Sequence, residues 1–70
     1  MYRAENIAAT LKEYERALKE CGTDELAAAE LRQHLREIRP QIAQSLNDFT
    51  GKPYQLVKDA IALLDKLVTV

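Results

Sequence analysis

Seventy residues suffice for one helical domain and are too few for two, because either half would lack the material for a core. The single cysteine excludes an internal disulfide and the paired Cys/His spacings of structural zinc modules, which leaves self-association as the support for so short a chain. Ten Lys and Arg against eleven Asp and Glu give a formal net charge of −1, so no whole-molecule positive field draws the chain onto nucleic acid or an anionic membrane, and any such binding must come from a local patch.

No apolar run approaches the ~18 residues of a membrane span, and the first residues lack the basic and apolar regions of a signal peptide. The expectation is a cytoplasmic protein with no membrane partner. With only two glycines and two prolines, and with Ala, Leu, Glu, Lys and Arg dominating, the composition is that of helices.

Apolar residues follow the helical period throughout, and strict alternation is found nowhere. Ile7, Leu11, Tyr14, Leu18 and Cys21 recur at steps of four and three, the narrow seam of a helix over about residues 4–21. Gly22 follows directly and suits the left-handed conformation that closes a helix. Thr23 and Asp24 are both good N-caps, and Asp24 and Glu25 place negative charge at the positive end of the next helix.

The second stripe comprises Ala28, Leu31, Leu35, Ile38, Ile42, Leu46 and Phe49, and its phase does not change at Pro40. On a helical wheel Pro40 lies opposite the stripe, where water can satisfy the Arg36 carbonyl that loses its donor. Arg39 and Gln41 are not turn residues, so the pattern predicts one helix over about 24–49, kinked at Pro40 and convex to solvent.

Thr50-Gly51-Lys52-Pro53 punctuates the chain, with Pro53 in the first turn of a third helix over about 53–68. That helix carries two adjacent stripes, Leu56, Ala60, Leu63, Leu67 and Val57, Ile61, Leu64, Val68, which together cover nearly half the wheel. The resulting expectation is an all-α, antiparallel three-helix bundle with a long central helix. Overhanging ends of that helix and the wide face of the third leave apolar surface for a homodimer, with Leu56, Leu63 and Leu67 as self-association residues.

Signals for chemistry are sparse. Gly51-Lys52 lacks the earlier glycine and the following Ser/Thr of a phosphate loop. Glu30, His34 and Glu37 share one side of the second helix, but the order is His-x-x-Glu where carboxylate bundles have Glu-x-x-His, and Gln41, Gln44 and Asp48 continue the stripe as a solvated flank. Cys21 and His34 fall on regular helices with no oxyanion loop between them, and Cys21 reads as a small buried hydrophobe. No catalytic residue, metal or cofactor is assigned, and an enzyme is not expected.

Arg32, Arg36 and Arg39 form the most unusual charge pattern. None has an acidic residue three or four positions away, whereas Glu15 with Lys19 and Arg16 with Glu20 are spaced as pairs. A guanidinium fork suits phosphates and carboxylates alike, so these three are the candidate residues for holding phosphates or an acidic protein partner; the plain alternative is a solvated face paired across helices. Were Pro40 a helix start, residues 40–46, the connection 47–52 and the segment from Tyr54 to Ile61 would be similar to the helix-turn-helix family of DNA-binding proteins. Ile42, Ala43 and Leu46 match its first-helix pattern, and Val57, Ala60 and Ile61 would be inward residues of a recognition helix. The segment departs from that family at Asn47, where a turn glycine is usual, and in its longer connection. Lys58 and Lys66 beside Asp59 and Asp65 also make a poor phosphate surface. A self-associating helical interaction or adaptor module is therefore the first expectation, and DNA binding the alternative.

Overall fold

A computed structural model describes residues 3–69. The elements in chain order are α1 (Ala4–Glu20), α2 (Glu25–Ser45), a short 3-10 turn (Leu46–Asp48) and α3 (Gly51–Val68), with no strand among the described residues. The central helix is the longest, 21 residues against 17 and 18.

Each boundary has a local cause. Gly22 adopts φ +58°, the conformation reserved for a helix stop, and its N–H reaches the Lys19 carbonyl at 3.3 Å. Asp24 then caps α2, its Oδ1 accepting from the Ala27 N–H at 3.1 Å. Helix α2 runs unbroken through Pro40, whose side is exposed, so the continuous helix that the apolar phase predicts is present.

The far end of α2 differs from expectation. The regular helix stops at Ser45, not near 49, and the chain tightens into the 3-10 turn before Phe49 becomes extended at φ −111° and ψ 149°. Asn47 and Asp48 compete with helical backbone bonding, and a three-residue repeat brings Leu46 and Phe49 to the same side. Both remain packed against the core, which is why the apolar stripe outlasts the helix. Helix α3 begins at Gly51, two residues before the expected start, and Pro53 falls in its first turn, where an N–H would have no intrahelical partner.

Eight residues make the core: Ala4, Ile7 and Leu11 from α1, Leu35 and Ile42 from α2, and Val57, Ala60 and Leu64 from α3. Leu11, Leu35, Val57 and Leu64 are wholly buried. Helix α3 packs on both other helices and most extensively on α1, while α1 and α2, though joined by a short turn, touch least. The breadth of the apolar face of α3 is thus largely used inside the chain. Ile7 and Ile42 line one cleft and Ala17 and Leu31 line another, so α1 and α2 are antiparallel. Arg32 and Arg39 reach Leu67 and Asp65 in reverse order, so α2 and α3 are antiparallel as well.

Leu35→Ala should lower the unfolding free energy by about 3 kcal/mol, because it opens a cavity at a fully buried site. Pro40→Ala should act oppositely and raise it by roughly 1–3 kcal/mol, since it restores a helical N–H to the Arg36 carbonyl at an exposed position. Urea unfolding followed by circular dichroism checks both.

Candidate functional site

Because α3 draws α1 and α2 onto itself, the opposite side of the α1/α2 pair stays open. A cleft of about 220 Å³ lies there, walled by Asn6, Ile7, Thr10 and Tyr14 from α1 and by Ile38, Gln41 and Ile42 from α2. A second cleft of about 340 Å³ continues toward the α1–α2 turn, between Thr10, Glu13, Tyr14 and Ala17 on one side and Leu31 on the other. Thr10 and Tyr14 belong to both, so the two form one groove with the half-buried Tyr14 ring between them.

The groove follows from spacing in the sequence. On α1 the buried residues Ala4, Ile7 and Leu11 turn toward the core, and one step around the helix stand Thr10 and Ala17, too small to reach α2. On α2 the buried pair Leu35 and Ile42 is flanked by Leu31 and Ile38, both partly exposed, which complete the apolar floor.

The two polar flanks of α2 have opposite signs. Glu30, His34, Glu37 and Gln41 follow at steps of four, three and four, and Gln41 lines the groove, so the other three continue along the same exposed side. The Glu37 carboxylate accepts from Gln33 Nε2 at 3.3 Å. Among the described residues no three His, Cys, Asp or Glu side chains converge as metal donors, and Glu30, His34 and Glu37 are all exposed.

The arginines occupy the flank toward α3. Arg39 grips Asp65 with two nitrogens, Nε to Oδ1 at 2.6 Å and Nη2 to Oδ2 at 3.3 Å. Half-buried Arg32 donates from Nε to the Leu67 carbonyl at 3.4 Å, supplying a cation and a donor to the negative end of α3. Arg36 is exposed and bonds to no described residue. Two of the three candidate partner-binding guanidiniums are therefore engaged within the chain. Spacing on α2 alone hides this, because both acceptors come from α3, 26 and 35 residues away.

The residues expected to mediate self-association have definite burial. Leu63 and Leu67 are half-buried against the core, and Leu56 is 39% exposed. Tyr54 is exposed at the start of α3, and Leu26, in the first turn of α2, is 74% exposed. Cys21 is half-buried at the C-cap of α1 and lies outside the buried core. No described helix is long and apolar enough to cross a membrane. Compared with protein-family models, curated proteins and solved structures, the chain matches none.

The Arg39 hydrogen bond holds the Asp65 carboxyl below its ordinary value of 3.8, against a slight opposing effect of burial and with help from the guanidinium charge. A depressed folded value means that the pair stabilises in full above the unfolded carboxyl value and that this contribution vanishes as pH falls through the folded one. Asp65→Asn should therefore be slightly less stable than the parent above about pH 5, and the difference should close in acid. High salt should shrink it too, since both side chains are nearly half exposed. Paired urea titrations across pH 2 to 7 measure this.

Proposed function

We propose that this chain is a small non-enzymatic protein–protein interaction module, receiving a partner in the α1/α2 groove and pairing with a second copy through the flank of α3 that carries Leu56, Leu63 and Leu67. The observation that carries the reading is the groove itself: a mainly apolar channel along two helices, floored by Ile7, Leu31, Ile38 and Ile42, on the side that α3 does not cover. Channels of this kind accept the apolar face of a helix.

Surface area supports the same reading. The chain exposes 5194 Å², whereas a monomer of 7.9 kDa is expected to expose about 4,400 Å². Surface in excess of a compact monomer's is available to partners. Elongation is the cause: the principal extents are 39 × 20 × 18 Å and the radius of gyration is 12.3 Å, against about 11 Å for a compact chain of this length.

DNA binding has no comparable observation behind it. Pro40 and Gln41 lie inside α2, so the first helix of the helix-turn-helix pattern has no start of its own, and Asp59 and Asp65 remain among the lysines of α3.

Sedimentation velocity over a range of concentrations should show a reversible dimer, with Leu56→Glu shifting it to monomer while circular dichroism and melting temperature change little. A parent chain that stays monomeric at millimolar concentration removes the self-association half of the proposal and leaves the groove to be tested by ligand.

A further inference from the structure

The chemistry of the groove rim selects among occupants. Glu13 lines the α1 wall, and Glu30 and Glu37 lie on the exposed α2 flank that runs through Gln41. No lysine or arginine of α2 is on that flank: Arg32 and Arg39 are turned to α3, and Arg36 follows the same line. Arg3, Lys12, Arg16 and Lys19, the cations of α1 and its N-cap, are exposed and line neither cleft. Glu13 is thus the one charged residue in the lining of the two clefts, Glu30 and Glu37 border it from the α2 flank, and the floor is apolar.

Resting on the interaction-module reading, we infer that the groove receives an amphipathic helix of another protein, one whose apolar stripe is bordered by lysine and arginine. Tyr14 and Thr10 are shared by the two clefts, and on α2 the lining residues Leu31 and Ile38 are seven apart, the i and i+7 spacing of an α-helix. One anchor would enter between Ile7, Ile38 and Ile42 and the next between Ala17 and Leu31, with the Tyr14 ring packing between them. Basic residues beside those anchors would then lie over Glu13 on one wall and Glu30 and Glu37 on the other, partly desolvated and so more strongly coupled than free surface pairs.

The same charges argue against a second copy in this groove. A twofold pairing of groove on groove is isologous and brings two acidic rims together, and no lysine or arginine lines either cleft to offset them. Self-association, as proposed, uses the other side of the molecule.

Fluorescence anisotropy with three labelled 18-residue peptides tests the inference: a Leu/Lys helix with leucines at i, i+3, i+4 and i+7, its Leu/Glu counterpart, and a scrambled Leu/Lys sequence without an apolar face. The Leu/Lys helix should bind about tenfold or more tighter than either control in low salt, and the gap over Leu/Glu should narrow as salt is added. Thr10→Arg, at an exposed position shared by both clefts, should weaken Leu/Lys binding about tenfold with an unchanged circular dichroism spectrum. The double change Glu30→Lys with Glu37→Lys should shift preference toward Leu/Glu. Equal binding of the two amphipathic helices, lost in Thr10→Arg, would overturn the basic partner and keep the groove as an interaction site. Equal binding of the scrambled peptide, or Leu/Lys binding indifferent to Thr10→Arg, would overturn the groove as the seat of recognition. Failure of all three peptides would overturn both readings of the groove.

Discussion

Helix α3 must satisfy two neighbours with one apolar face, and the shape of the molecule follows from that demand. Val57, Ala60 and Leu64 lie along its buried centre line, and the residues to either side extend the face until it spans both α1 and α2. A helix that serves two partners holds them at an angle set by its own breadth. Here α1 and α2 each pack more on α3 than on one another. Among the described residues eight are buried, and three of them, Val57, Ala60 and Leu64, lie on the helix that both others pack against.

The polar contacts reinforce the same pairing. Both ties between helices made by arginine, Arg39 to Asp65 and Arg32 to the Leu67 carbonyl, join α2 to α3. Their role is directional more than energetic. Exposed ion pairs add little stability, but two tethers a full two turns apart on α2 fix the register of α3 against it. With Arg32 and Arg39 turned to that seam, the opposite flank of α2 carries Glu30, His34, Glu37 and Gln41.

Local patterns made most of the architecture legible. The helical period located all three helices, Gly22 and Asp24 marked the first turn, and an unchanged apolar phase across Pro40 showed that α2 continues. What escaped depended on relations between helices. Leu46 and Phe49 extend the stripe of α2 although the backbone there has already tightened into a 3-10 turn, because apolar periodicity reports which side a residue faces and not the hydrogen bonding beneath it. The wide face of α3 suggested surface to spare, since breadth on one wheel does not say whether one neighbour or two will cover it. The groove was less legible still: Thr10 and Ala17 are unremarkable on α1 until α2 is known to stand away from them.

The uneven packing also bears on how the chain acquires its structure. The most extensive contact joins the first helix to the last, so the fold closes over a long sequence separation, while the adjacent hairpin of α1 and α2 holds little on its own. Loop closure must come before that contact can stabilise anything, which slows folding relative to a bundle whose strongest contacts are between neighbours in sequence. During synthesis the first two helices therefore have no lasting core to settle on, and cooperative order waits for α3 to emerge from the ribosome.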